Sequence, residues 1–386
     1  MKDVIITDSV LYVGVDDKTL DLFESQYIIP NGVSYNSYVI LDEKVTVMDT
    51  VDARATDEWL SNLEVALAGR DVDYLVVSHM EPDHASNIKN LMDKYPNLKV
   101  VGNAKTFAMI PQFFDVDISE RAVVVKEGDT LCLGKHTLQF FMAPMVHWPE
   151  VMVAYEQTEK ILFSADGFGK FGALDTDEAW TCEARRYYFN IVGKYGAQVQ
   201  ALLKKAATLD IQMICPLHGP ILKEDLGYYI GKYDIWSKYE PEDEGVFIAY
   251  ASIHGNTAKA ARKLAEMLEE KGAKRVAIAD LSRDDMAEAV EDAFRHSKLV
   301  VASSTYDGGL FPCMEDFLSH LKAKNYQKRA VAMMENGSWA PVAGKKMREY
   351  FEGMKDIEIC EPVVTIKSTM RDETVKVMEE LAKQLV

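Results

Sequence analysis

Between Ser78 and Ala85 the chain reads His79-Met80-Glu81-Pro82-Asp83-His84, two imidazoles and two carboxylates in six positions. They follow the apolar run "YLVV", Tyr74 to Val77, so a strand delivers them to a loop. Imidazole and carboxylate together form a ligand set for transition metals, and such a loop can turn several donors onto one centre. Three more candidates lie downstream: His147 after "LQFFMAP", Asp166 at the end of "KILFSAD", and His218 at the end of "IQMICPLHG". All fall at the ends of expected strands, where loops gather in a layered fold. Isolated histidines such as His254 and His296 read instead as surface or capping groups with no metal role.

The elements that must position these groups divide near Glu244, where the acidic, proline-bearing "YEPEDEG" precedes the apolar "VFIAYAS". Residues 1–244 read as α+β with strands in two sheets, among them "SYNSYVIL", "VTVMDTV", "LQFFMAP", "VMVAYEQ" and "ILFSAD". Residues 245–386 alternate regularly: strands "GVFIAYAS", "KRVAIADL", "KLVVASST", "RAVAMMENGS" and "IEICEPVVTI" are each followed by a helix, the last from Asp372 to Leu385. That alternation predicts an α/β domain with a doubly wound parallel sheet.

In an open parallel sheet, ligands bind beyond the carboxyl ends of the strands. Three loops there could hold a phosphate and a planar ring. The first comprises Ser252, Ile253, His254, Gly255, Asn256 and Thr257 at the start of a helix, where N–H groups and the helix dipole favour an anion; Asn256 or Thr257 could equally serve as a plain helix cap. The second, Ser303 to Gly309, offers Ser304, Thr305, Tyr306, Asp307, Gly308 and Gly309, an aromatic among small permissive residues. The third, Glu335 to Ala340, offers Asn336, Gly337, Ser338 and the aromatic Trp339. S-x-x-G-N-T after an opening strand resembles the phosphate loop of flavodoxins, and the resemblance implies FMN as cofactor. The absence of G-x-G-x-x-G argues against NAD.

The order His-x-Glu-x-Asp-His, then His, Asp and His, resembles the metallo-β-lactamase superfamily, which implies an αβ/βα sandwich for the N-terminal half. Hydrolases of that superfamily usually carry His at the second position and bind zinc. Glu81 adds negative charge and hard oxygen donors here, which suits iron in its higher oxidation states. A β-lactamase-like half followed by a flavodoxin-like half resembles the flavodiiron proteins over essentially the whole chain, including "SYNSYVI", "HWPEVMV", "YYFNI", "CPLHGPIL" and "SSTYDGGLFP". The resemblance implies one iron on His79, Glu81 and His147, another on Asp83 and His218, Asp166 as bridge, and His84 at a position that is a ligand in some members and not in others. It further implies reduction of O2 to water or of NO to N2O, with a protective role against those gases. Tyr195 is a candidate proton donor, with an ordinary core tyrosine as the alternative. Glu24 stands where many members carry a histidine, and the stretch from Gly169 to Trp180 is shorter than usual.

With Lys+Arg 43 against Asp+Glu 61, the formal net charge of −18 disfavours nucleic acid and anionic membranes as partners. No long apolar segment is present, and a cytoplasmic location is expected. The five cysteines are scattered without a C-x-x-C pair and read as reduced, mostly buried thiols, so a rubredoxin-type module is expected on a separate donor, with a reduced deazaflavin coenzyme as the alternative. The resemblance implies a head-to-tail homodimer or dimer of dimers, with Trp339 near the contact. Two other functions fit parts of the sequence: a metallo-β-lactamase-type hydrolase with an accessory flavodoxin domain, and a non-enzymatic electron carrier or redox sensor.

Overall fold

A computed structural model describes residues 4–386. The chain forms two compact units, one made of the residues up to Tyr188 with Ala197–Asp234, the other of Phe189–Gly196 with Ile235–Val386. The division expected after Glu244 therefore lies inside the second unit. Aromatic packing explains the shift: Phe189 stacks on Phe294 at 4.3 Å and meets Trp236 at 6.2 Å, which draws both segments onto the second core.

The first unit is built on two sheets. One has the order Val10–Tyr12, Tyr38–Ile40, Thr46–Met48, Tyr74–Val76, Lys99–Gly102, Ala122–Val124; the other runs Thr130–Cys132, Thr137–Met142, Met152–Glu156, Ile161–Phe163, Met213–Cys215. Tyr38, Ile40, Met48, Val76 and Val101 of the first sheet share a core with Leu138, Phe140, Met152, Ala154 and Phe163 of the second. Both sheets thus bury one face against the other, as sandwich strands with apolar runs must. The expected strand "SYNSYVIL" is two strands, Val33–Tyr35 and Tyr38–Ile40, which pair in different sheets. Asn36 lies between them and donates to the carbonyls of Pro216 and Gly219, both at 2.8 Å, so its side chain serves a loop rather than a ladder.

The second unit is a parallel sheet in the order Val276–Asp280, Asp243–Ala251, His296–Tyr306, Arg329–Asn336, Ile357–Ile359, which is the 2-1-3-4-5 order of flavodoxin-like folds. Helices Asn256–Glu270, Met286–Arg295, Pro312–Ala323, Ala343–Phe351 and Asp372–Leu385 follow its strands. "IEICEPVVTI" is not one strand. Ile357–Ile359 pairs with the start of Arg329–Asn336 and Val364–Ile366 with its end, because Pro362 between them has no N–H to donate. Of the five cysteines Cys215 and Cys360 are buried and Cys313 is half-buried, while Cys132 and Cys182 are exposed, contrary to the expectation of a mostly buried set. Among the described residues no helix is long and apolar enough to cross a membrane.

Candidate metal centre and flavin cleft

The cluster after Tyr74–Val76 owes its fan of side chains to a change of backbone. Ser78 donates its N–H to Asp49 Oδ1 at 2.6 Å and anchors the loop; Glu81 is extended and caps the short helix Pro82–Ala85, with Pro82 in the first helical turn. Glu81 thus leaves extended backbone while Asp83 and His84 leave a helical turn. Asp166 follows Ile161–Phe163, in a loop where Gly167 and Gly169 donate back to Ser164 and Asp166. His218 is held in place by Leu217, whose N–H bonds the Ala165 carbonyl, and by Gly219, whose φ of +79° suits a residue without Cβ.

These loops bring all seven expected ligands together as two groups. His79, Glu81, His147 and Asp166 form one, and Asp83, His84 and His218 the other; each could hold a metal ion. In the first, Glu81 Oε2 lies 3.1 Å from His79 Nε2 and 3.0 Å from His147 Nε2, while Asp166 Oδ2 lies 3.3 Å and 3.2 Å from the same two nitrogens. In the second, Asp83 Oδ2 is 3.2 Å from His218 Nε2 and 3.6 Å from His84 Nε2, and the two imidazole Nε2 atoms are 3.1 Å apart. Asp166 Oδ1 turns towards this group, 3.9 Å from His218 Nε2, so one carboxylate spans both.

The donor chemistry fits cations. The outer nitrogens are engaged: His79 Nδ1 with Glu150 Oε1 at 2.9 Å, His218 Nδ1 with the Ser34 carbonyl at 2.8 Å, and His84 Nδ1 with the Thr50 carbonyl at 3.4 Å. Each such bond puts the proton on Nδ1 and leaves the Nε2 lone pair facing inward, the tautomer a metal ligand needs. Both carboxylate oxygens of Asp83 and of Asp166, and His147 Nε2, are buried without a hydrogen-bond partner. Buried polar atoms of that kind are costly unless an ion satisfies them. Electrostatics point the same way. Burial would lower the His147 pKa, but the carboxylates of Asp166 and Glu81 overcome it and push it up to about 9. His84, deeply buried and facing His218, is pushed down to about 4. A centre that draws protons onto one imidazole pair is one that attracts positive charge.

Aromatic rings close the site. Phe23 and Tyr187 pack on His218 at 5.4 Å and 5.6 Å, Tyr35 on both His84 and His218 at 6.3 Å, and Trp148 edge-on to His79 at 5.2 Å. A cavity of about 230 Å³ reaches Glu81 and Asp83 past Phe23, Glu24 and Tyr35. Glu24 thus lines the approach to the candidate ligands Glu81 and Asp83. Tyr195 belongs to the second compact unit, where its ring lies under the Lys194 ammonium at 5.8 Å.

The second unit carries a cleft of about 610 Å³ at the carboxyl ends of its strands, a volume in the range of cofactor sites. It is lined by residues of all three expected loops: Ser252, Ile253, His254, Asn256 and Thr257, then Ser304 to Gly308, then Asn336 to Ala340. Gly255 and Gly309 lie outside the lining. Gly255 is instead the N-cap of helix Asn256–Glu270, at φ +86° and with no side-chain capping bond, so the first N–H groups stay open to an anion. Neither Asn256 nor Thr257 acts as the cap. Thr257 Oγ1 meets Ser304 Oγ at 2.9 Å and accepts from Asn336 Nδ2 at 3.3 Å, tying the three loops together. Tyr306 and Trp339 are exposed, Trp339 to 83%, as rings that await a planar partner would be. Ser368 also lines the cleft, donating its N–H to Asn336 Oδ1 at 3.0 Å. Its place just beyond Val364–Ile366 was the available sequence signal.

A sandwich with two imidazole–carboxylate groups, together with a flavodoxin-type sheet and an open cleft for a phosphate and a ring, defines a class of metalloflavoprotein. Residues 33–219 match the family described as "ODP family beta lactamase" and residues 247–357 a flavodoxin domain. The chain is 30% identical to rubredoxin-oxygen oxidoreductase of Megalodesulfovibrio gigas over 90% of its length and 89% of that protein. It is 28% identical to nitric oxide reductase of Moorella thermoacetica over 99% and 98%. Among solved structures, rubredoxin oxygen:oxidoreductase from Desulfovibrio gigas superposes with a TM-score of 0.92 at 28% identity, covering 99% of this chain and 97% of that one. The flavodiiron protein from Giardia intestinalis does so at 0.91 and 26%, covering 100% and 97%. The chain belongs to the flavodiiron protein family.

Proposed function

We propose that this protein is an oxidoreductase that reduces O2 to water, NO to N2O and water, or both, and protects its cell against these gases. Its cofactors are FMN and a non-haem diiron centre. The observation that carries the reading is the doubled ligand cluster around Asp166 in a chain that also carries a flavodoxin-type cleft. When bound, FMN takes up electrons singly and holds a pair, and the iron pair passes electrons to a diatomic.

Within that reading, His79, Glu81 and His147 would hold one iron and Asp83, His84 and His218 the other, with the Asp166 carboxylate available to both. Phe23, Tyr35, Trp148 and Tyr187 exclude water around the imidazoles, which strengthens every charge interaction inside. The open N–H groups after Gly255 and the hydroxyl of Thr257 would hold the FMN phosphate, and Tyr306 and Trp339 would offer their rings to the flavin. The relative from M. gigas is named for rubredoxin, and a rubredoxin donor fits a chain without a C-x-x-C pair of its own. We further infer a cytoplasmic, head-to-tail homodimer. The hydrolase reading is not favoured: Glu81 and the flavodoxin-type cleft serve no purpose in it.

The test is elemental analysis and an absorption spectrum of the purified protein, followed by anaerobic assays with O2 and NO. About two irons and one FMN per chain, with gas reduction lost when His147 or Asp166 is replaced by Ala, is the expected result. Zinc without iron after expression in iron-replete medium, or hydrolysis without a reductant, would overturn it.

A further inference from the structure

The two groups of ligands are alike in charge. Each offers two imidazoles and one carboxylate of its own, and they share Asp166. The difference lies behind the imidazoles. His84 and His218 back onto the neutral carbonyl oxygens of Thr50 and Ser34. His79 backs onto Glu150, a fully buried carboxylate whose Oε1 also accepts the Met80 N–H at 2.8 Å. Glu150 Oε2 is buried with no hydrogen-bond partner, so its charge is spent mainly on His79 and the Met80 amide. The carboxylate is itself fixed from its backbone, where the Glu150 carbonyl accepts from Asn103 Nδ2 at 2.5 Å, and Trp148 packs edge-on against the His79 ring. A negative acceptor on Nδ1 gives an imidazole partial imidazolate character and makes it a stronger donor to a metal; a carbonyl does so far less.

We propose that Glu150 is a positioning residue that makes the two irons redox-inequivalent. It holds the His79 ring in the metal-facing tautomer and places a negative charge directly behind an imidazole of the position held by His79, Glu81 and His147, whereas the Nδ1 partners of His84 and His218 are neutral carbonyls. That position favours the ferric state and takes its electron second; the position held by Asp83, His84 and His218 takes its electron first. The inference rests on the diiron reading above. It assigns a role to the glutamate of the "HWPE" stretch that ligand spacing alone does not.

The test uses the iron-loaded protein and three variants, with iron content measured first. Native protein without iron defeats the diiron reading itself. In Glu150→Gln the amide oxygen can still accept from His79 and Met80, but the charge is gone. Expected is near-native iron content with a narrower separation between the two one-electron reduction steps, and therefore a smaller maximum of the half-reduced state seen by electron paramagnetic resonance. Glu150→Asp, which restores the charge, should recover part of the separation. Glu150→Ala, which removes charge and acceptor, should weaken iron retention by about tenfold to a hundredfold. Iron-loaded Glu150→Gln with the native separation would overturn the inference and leave the diiron reading standing. If the Gln variant does not fold, the reduced native protein gives the answer by proton magnetic resonance. One exchangeable imidazole N–H shifted well apart from the others supports the inference, and equivalent shifts overturn it.

Discussion

The metal centre and the flavin cleft solve opposite problems. The centre collects donors from loops as distant as His79 and His218, buries them, and fixes the imidazoles of His79, His84 and His218 from behind with an acceptor. The cleft lies at one edge of a single sheet and stays open, with backbone N–H groups and exposed rings as its working parts. A metal ion demands several donors within narrow distances, so side chains must be locked before it arrives. A flavin brings its own rigid shape, so the protein need only supply a phosphate seat and walls.

The largest expected effect breaks the first half of this contrast. Asp166→Ala removes the carboxylate shared by both groups, and iron retention and gas reduction should fall by more than the tenfold to hundredfold typical of outer partners, while FMN content stays native. Elemental analysis with a flavin spectrum checks it; loss of both cofactors would mean that the sites are not separately built. Trp339→Ala should raise the dissociation constant for FMN by about twofold to tenfold, from a ring contact worth roughly 0.5–1.5 kcal/mol, and leave the iron alone. Fluorescence titration of flavin-free protein measures this. Gly255→Ala meets no atom within 4 Å of the new Cβ, so its cost is the left-handed backbone alone. A loss of about 1 kcal/mol, read as a lower urea midpoint of the flavin-free protein, is expected.

The smallest effect concerns neither site. Burial would raise the pKa of Asp42, but the N–H groups of His136, Lys135 and Glu43 hold it well below the ordinary value of 3.8. A depressed carboxyl contributes stability that is present above its unfolded value and lost as pH falls through its folded one. Asp42→Asn should therefore lower the urea midpoint at pH 7 and make little difference in strong acid. An equal gap at both ends would show that the loss is packing rather than charge.

Much of this was legible in the residues. The seven candidate ligands announce themselves because imidazoles and carboxylates gather at strand ends, and the parallel sheet follows from regular alternation of short apolar runs with amphipathic helices. Other features left no such mark. Ser34 and Thr50 act through backbone carbonyls, which every residue has. Glu150 sits far along the chain from His79, and nothing in the spacing joins them. The segment Phe189–Gly196 joins the second unit through the stack of Phe189 on Phe294 and bonds such as that of Asn190 Nδ2 to the Ala287 carbonyl at 3.1 Å, tertiary choices that periodicity does not report. The division of "SYNSYVIL" depends on where Asn36 finds its partners.

That last residue also sets an order of events. Asn36 donates to the carbonyls of Pro216 and Gly219, and Tyr38 Oη donates to Pro216 at 2.5 Å, so an early strand clamps the turn that carries His218, the last candidate ligand. During synthesis the chain emerges from its N-terminus, and the clamp has nothing to grip until the segment around His218 has left the ribosome. Closure of so long a loop makes this a slow, late contact. Iron capture therefore waits on completion of the first unit, whereas the flavin seat forms from neighbouring loops of a sheet made afterwards.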